Sequence, residues 1–415
     1  MININETNKK HCCGCTACES VCHKKCISMQ TDNEGFKYPV VDKTKCVNCR
    51  LCEKVCPILN KTHNVFPNTA YVVRNKNSEI VRSSTSGGAV TAFSKEIINN
   101  GGIVFGGAFD GNFYVKHTYA ETESELSKFR SSKYVQSDTG NTFKETESLL
   151  QSGKVVLCTT FTEVKQQLDN GKFVMFTGTP CQVEGLQNYL RKPYDNLFTI
   201  DFVCRAVPSP LVWEKYREFM EKKFGSEITY ANFREKTYGY HSANLTLRFA
   251  NGKKSIENTN TDYMLKSFFK GICSRPSCYD CKFREPGRVS DLTVFDCWNI
   301  TRYVNGLADD DKGYTAVIIQ STKGAKLFEK AKHNLIVYPA DPKLLLENDG
   351  HMAMENPKYH KNRKEYFEML NNGYNIEQVV KKYIPIKISR KIFGKFRGFF
   401  YKTGILRFLK KLKIK

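Results

Sequence analysis

The sequence contains no run of about 18 apolar residues, so it offers no membrane-spanning helix. Its first ten residues, Met1 to Lys10, are polar and lack the apolar segment of a secretory signal, which points to a cytoplasmic protein. Acidic residues are missing from the end of the chain. None follows Glu377, whereas 13 Lys or Arg lie between Lys381 and Lys415. Of the net charge of +22, this leaves +9 on the first 380 residues. The body is only mildly basic and no recognised nucleic-acid motif interrupts it, so the reading has no nucleic-acid partner. With 40% hydrophobic and 26% charged residues, global disorder is excluded as well.

Cysteine is abundant. The chain has 17, and without an export signal they suit metals in a reducing compartment rather than disulfides. Eight fall into two equally spaced sets: Cys12, Cys15, Cys18 and Cys22, then Cys46, Cys49, Cys52 and Cys56, with Pro57 following. This is the bacterial ferredoxin spacing, in which three cysteines hold one 4Fe–4S cubane and the fourth reaches across to the other. The expected wiring joins Cys12, Cys15, Cys18 and Cys56, and separately Cys46, Cys49, Cys52 and Cys22. Structural zinc takes four ligands, usually in two pairs, and fits two evenly stepped triplets poorly. Cys13 and Cys26 fall outside the register and read as packing thiols or neighbours of the ligands. His23 stands where such motifs usually carry proline.

After this segment, taken as residues 1–59, a polar linker over 60–69 leads to a body that starts at Ala70 and runs to about 350. Strand and helix signals alternate irregularly along it, predicting a mixed α/β architecture. Ser84 to Gly88 precede a helical stretch from Ala89 to Asn99. A glycine pair opening a helix suits an anion, although as a bare motif a structural turn is the favoured reading. Arg130 to Ser137 place two cations among hydroxyls, as a phosphate-bearing cofactor or a solvated loop would. Gly178 to Gln182 join a buried strand to a helix, and Cys181 at that helix start should have a lowered pKa.

A third set of cysteines follows. Cys273, Cys278 and Cys281 have C-x4-C-x2-C spacing, for which Cys181 and Cys204 are the candidate completing ligands. Spacing leaves open which four of the five would hold a third 4Fe–4S cluster. Cys158 and Cys297 read as structural. His117 and the pair Tyr240-His241 are the available acid–base groups, and none is singled out as catalytic.

Six ordered motifs carry a resemblance: STSGG at 84–88, SKYVQS at 132–137, GTPCQ at 178–182, VPSP at 207–210, RPSCYDC at 275–281 and SDLTVFDCW at 290–298. Together they resemble the beta-subunit family of coenzyme F420 hydrogenases and dehydrogenases, in its forms fused to a ferredoxin module. The resemblance spans roughly residues 1 to 350. It implies a flavin-binding α/β body with its own 4Fe–4S cluster, passing electrons between clusters, FAD and an organic acceptor. On this reading Ser86, Gly87, Gly88, Ser132, Lys133, Tyr134, Gln136 and Thr179 would contact FAD. The donor would be a redox partner protein or reduced ferredoxin, and the acceptor a small molecule. Relatives of this kind are also associated with surface-polysaccharide synthesis, so use of coenzyme F420 does not follow. Two departures matter: Arg205-Ala206 stand where the family usually has His-Gly, and Phe295 with Cys297 alter the segment before Trp298. The competing reading is an electron-transfer adaptor whose substrate sits on a partner subunit.

Residues 351–385 read as a helical extension and 386–415 as a basic amphipathic tail. Ile388, Ile392, Phe396 and Phe399 form one stripe, with Arg390, Lys391, Lys395 and Arg397 opposite, and Ile405, Leu409 and Leu412 form a second. Such pieces suit an anionic membrane surface at the inner face of the membrane, or a helix packed on the body.

Overall fold

The structure is a computed structural model, and it describes residues 2, 8–144, 157–242 and 244–405. The chain divides into two units: Met1–Pro210 with Ser274–Lys358, and Leu211–Cys273 with Tyr359–Lys415.

The first unit begins with the cysteine-rich segment. Its hairpin pairs β1 (Ile27–Thr31) with β2 (Lys37–Val41). Asp32 closes the turn, its carboxylate accepting from the Glu34 and Phe36 amides at 3.0 and 2.9 Å. The body of the unit is an eight-stranded sheet built from β3 (Thr69–Asn75), β4 (Ile103–Phe109), β5 (Val115–Ala120), β8 (Val174–Gly178), β9 (Leu197–Phe202), β13 (Leu292–Cys297), β14 (Tyr314–Ile319) and β15 (Leu335–Ala340). A separate small pair joins β6 (Asn141–Lys144) to β7 (Leu157–Thr159). The large sheet runs β15-β3-β14-β13-β9-β8-β4-β5. Its centre, β13-β9-β8-β4, is parallel and the outer strands are antiparallel. A parallel centre must be covered on both faces, which is why Val174, Met175 and Phe176 are consecutive, apolar and fully buried.

The two faces have different covers. On one, Phe93 of the helix Ala89–Asn99 and Phe328 of the helix Thr322–Ala331 pack with Val104, Val317 and Leu292. On the other, Phe161, Val183 and Leu186 share a core with Phe105 and Phe176, and also with Ala17, Val55 and Cys15 of the ferredoxin segment. The N-terminal module is thus built into the sheet's own core. The expected linker is pinned too: the Thr62 amide donates to Glu184 Oε1 at 2.6 Å, and the Lys61 ammonium pairs with Glu184 and Glu285.

The second unit holds a three-stranded antiparallel sheet of β10 (Ile228–Glu235), β11 (Asn244–Phe249) and β12 (Lys254–Asn258). Trp213 and Tyr216 from the helix Pro210–Phe224 fill its core, with Trp213 5.0 Å from Phe233. Asp262 caps the helix Tyr263–Phe269 by accepting from the Leu265 amide at 2.7 Å, and also accepts from the Tyr216 hydroxyl at 2.5 Å.

The terminal helix Ile388–Lys402 lies on this unit by a face that the periodicity did not suggest. Arg397, expected on the outer basic face, turns inward and is buried, donating to Asn244 Oδ1 at 2.9 Å and the Ser242 carbonyl at 2.8 Å. Gly394 and Gly398, which weaken an isolated helix, are where it approaches Thr261 and Tyr238. The stripe of Ile388, Ile392, Phe396 and Phe399 faces outward, at 76, 53, 55 and 60% exposure. Leu409 and Leu412 lie outside the described residues.

Burial raises the Asp262 carboxyl to about 7, against hydrogen bonds that lower it. A raised folded pKa means the native state binds the proton more tightly than the unfolded chain. Its contribution is therefore full below about pH 4 and declines as pH climbs to about 7. Denaturant titrations at pH 5 and pH 8 should show the second unit weaker at the higher pH. Asp262→Asn should flatten that difference, and an unaltered slope would contradict it.

Candidate redox centres

The doubled cysteine motif produces doubled local structure. Each middle cysteine is flanked by two residues with positive φ: Gly14 and Thr16 around Cys15 (73° and 70°), Asn48 and Arg50 around Cys49 (57° and 59°). Each loop then enters a short helix, Ala17–Val21 or Leu51–Lys54. Three of these four residues are not glycine. Strain tolerated at matched positions is the mark of a backbone bent to serve a site.

The side chains fall into two neighbourhoods. Burial, then the neighbouring Cys12 and Cys56, push the Cys18 thiol well up. Cys15 is also raised: its hydrogen bond with Cys13 pulls it down, but burial and Cys56 outweigh that. Cys56 thus stands with the first triplet. Cys22 lines a cavity with Cys46, Cys49 and Cys52, as a ligand crossing the other way would. Cys26 opens onto the same cavity, its sulfur 3.3 Å from that of Cys22. No three His, Cys, Asp or Glu among the described residues are gathered tightly enough for a single metal ion. The cavity, with Cys22, Cys46, Cys49 and Cys52 among its five thiols, fits a cubane. The raised Cys15, Cys18 and Cys56 thiols belong to the other set, where burial resists a thiolate until a bound cation compensates it.

In the body, Cys204 is raised well above its usual value by burial and then by Cys278 and Cys181. Burial and Cys181 likewise raise Cys281. Cys181, Cys204, Cys278 and Cys281 are therefore neighbours in the first unit. Cys273 belongs to the second unit, buried in the surroundings of Tyr366. The expectation of a lowered Cys181 pKa is reversed: contact with Cys13, then burial, push it well up. A helix start favours a thiolate, but here neighbouring thiols and the loss of water win.

The ferredoxin set meets the body at this point. Cys181 is the second residue of the helix Pro180–Leu190, and one turn on, a Cβ added to Gly185 would stand 2.9 Å from Cys15 Sγ. Cys13, set aside by the spacing, contacts both Cys15 and Cys181. Sequence reasoning missed Arg275 altogether. Its guanidinium, fully buried, donates to the Cys12 carbonyl and Gln136 Oε1 at 2.9 Å each, to the Lys37 carbonyl at 2.9 Å, and to Cys12 Sγ at 3.6 Å.

The predicted cofactor residues come together in part. Thr85 Oγ1 lies 3.1 Å from Ser132 Oγ and accepts from the Ser132 amide at 2.8 Å, so the two loops form one rim. Arg130 reaches Ser83 on the same rim at 3.2 Å. The helix Ala89–Asn99 starts at Gly88 (φ 78°) without a side-chain cap, and its first residues, Gly88 and Ala89, are buried. Gly87 has another explanation: a Cβ there would meet the Val73 carbonyl at 2.6 Å. Ser86 bonds Thr315 at 2.8 Å. Lys133 donates its ammonium to the carbonyls of Lys128, Arg130 and Ser131 at 2.8, 3.0 and 3.3 Å, and burial lowers it to about 7. Gln136 is taken by Arg275. Tyr134 is half-buried and interacts electrostatically with Arg205. Thr179 stands at the start of the Cys181 helix, its hydroxyl 3.1 Å from the Cys181 sulfur.

His117 is structural. Its ring takes Ser137 Oγ at 2.7 Å and the Thr177 carbonyl at 3.0 Å, and burial holds it neutral, down to about 4. Arg205 is lowered by burial and then by Arg284, which donates to its carbonyl.

Comparison with known proteins matches residues 11–59 to the 4Fe-4S dicluster domain. Residues 171–343 match the C-terminal region of the coenzyme F420 hydrogenase/dehydrogenase beta subunit. The two matched regions are of the iron–sulfur, electron-transferring, oxidoreductase type. Among solved structures it is distantly similar to a chain of the F420-reducing NiFe hydrogenase complex from Methanosarcina barkeri: 18% identity, TM-score 0.43, over 74% of this chain and 94% of that one. No curated protein matches it.

Proposed function

We propose that the chain is an iron–sulfur flavoprotein oxidoreductase that delivers electrons to an organic acceptor. The observation that carries this reading is the line of sulfurs from Cys15 through Cys13 to Cys181, which brings the ferredoxin segment against the body's own cysteines. Cys22, Cys46, Cys49 and Cys52 would hold one cubane, Cys12, Cys15, Cys18 and Cys56 a second, and Cys181, Cys204, Cys278 and Cys281 a third. The rim of Thr85, Ser132 and Arg130 with the uncapped helix start at Gly88 would hold the FAD diphosphate. Bound there, clusters carry single electrons and a flavin converts them to two-electron chemistry.

The residues suggest a direction. Cys49 is exposed and its set opens to solvent, where a redox partner protein or reduced ferredoxin could deliver electrons. Cys15 and Cys18 are buried, and Cys15 is packed on the body. Anaerobically purified protein should contain about 12 Fe and one flavin. Cys204→Ser should lose about four Fe while Cys273→Ser loses none. About 8 Fe in the unaltered protein would remove the third cluster, and absence of flavin would leave the adaptor reading.

The outward stripe of the terminal helix is our basis for a second element of the reading, attachment to an anionic membrane surface. Four large apolar side chains stand in solvent on a segment whose charge is entirely positive. That address would suit an acceptor in surface-polysaccharide metabolism. Ile392→Ser with Phe399→Ser touches exposed positions only and should abolish flotation with phosphatidylserine vesicles, with little binding to phosphatidylcholine in either form. Undiminished flotation would reject the attachment, and a change in oligomeric state instead would assign the stripe to a protein contact.

A further inference from the structure

Arg275 presents a problem of charge. Its side chain is fully buried, and among the described residues its partners are two backbone carbonyls, an amide oxygen and a thiol, with no carboxylate. It stacks over Tyr38 at 4.2 Å and lies 5.4 Å from the Phe36 ring. An uncompensated guanidinium in such a place costs several kcal/mol, so buried charges are normally paired. Every feature nearby is shaped to keep it. Gly14, at φ 73°, is where it passes the ferredoxin loop; a Cβ there would meet Arg275 Nη1 at 2.9 Å and Gln136 Nε2 at 2.6 Å. Its own amide donates to the Val207 carbonyl at 2.8 Å, and the Cys278 amide donates to the Arg275 carbonyl at 2.9 Å.

We propose that Arg275 is a positioning residue whose counter-charge is the cluster on Cys12, Cys15, Cys18 and Cys56, and that it makes this cluster easier to reduce than the one on Cys22, Cys46, Cys49 and Cys52. The inference rests on the cluster assignment proposed above. The cations lining the second cavity, Lys24 and Arg50, are exposed and screened by water, so the two sites differ in field although their ligand spacing is the same. A buried cation donating to a ligand sulfur stabilises the extra negative charge of the reduced cluster. The gradient favours electrons moving from the open site towards the body.

The test is an EPR-monitored redox titration of the full chain. In Arg275→Gln one low-potential signal should shift to a more negative midpoint while that of the Cys22, Cys46, Cys49 and Cys52 cluster stays, at undiminished iron content. Arg275→Lys, which keeps the charge, should stay close to the unaltered protein. Unmoved midpoints in the Gln variant would overturn the proposal. So would equal shifts in both variants, which would signal lost packing alone. If Arg275→Gln loses iron, Arg275→Lys decides: retained iron and midpoint support the proposal, and lost iron overturns it. Iron content of the unaltered protein reports separately on the cluster assignment.

Discussion

The arrangement depends on one constraint: the ferredoxin segment has to be close-packed on the helix Pro180–Leu190. Ala17 and Val55 enter the sheet's core beside Val183 and Leu186, and Cys15 rests on Gly185. A module attached only by a flexible linker would sample many distances from Cys181. Here hydrophobic burial sets the distance, and the ion pairs of Lys61 with Glu184 and Glu285 hold the connecting segment down. Any path between the cysteine sets rests on ordinary core packing.

The same packing governs the electrostatics. Cys15 and Cys18, toward the body, are buried and raised, while Cys49 of the outer set is exposed to water. Two sites with the same ligand spacing thus occupy different media. Burial, Arg275 and neighbouring thiols distinguish them, which is how a protein tunes a cofactor whose inorganic chemistry it cannot alter.

What could be read in the sequence was what spacing encodes locally. The eight N-terminal cysteines have a register independent of the rest of the fold, and strands such as 174–178 announce themselves by continuous apolar runs. What was hidden depended on distant partners. Arg275 meets Cys12 across 263 residues, and nothing at either position signals it. Gly87 looked like a ligand-binding glycine, but the Val73 carbonyl accounts for it. Arg397 belongs by periodicity to a solvated face and is drawn inward by Asn244. The second unit is made of two segments whose patterns, read singly, look like parts of a linear series of domains.

Strand order has a consequence for synthesis. In the sheet β3 lies between β14 and β15, yet about 240 residues separate it from them in the chain. At elongation rates of about 5–20 residues per second, both its edges stay unpaired for roughly 12–50 s. Throughout that interval the nascent chain displays Ala70, Val72 and Val73, side chains that end fully buried. The cysteines of the N-terminal module have by then all left the ribosome. The cluster ligands are therefore exposed in the same window in which a lone apolar strand needs protection, before the sheet that will carry both exists.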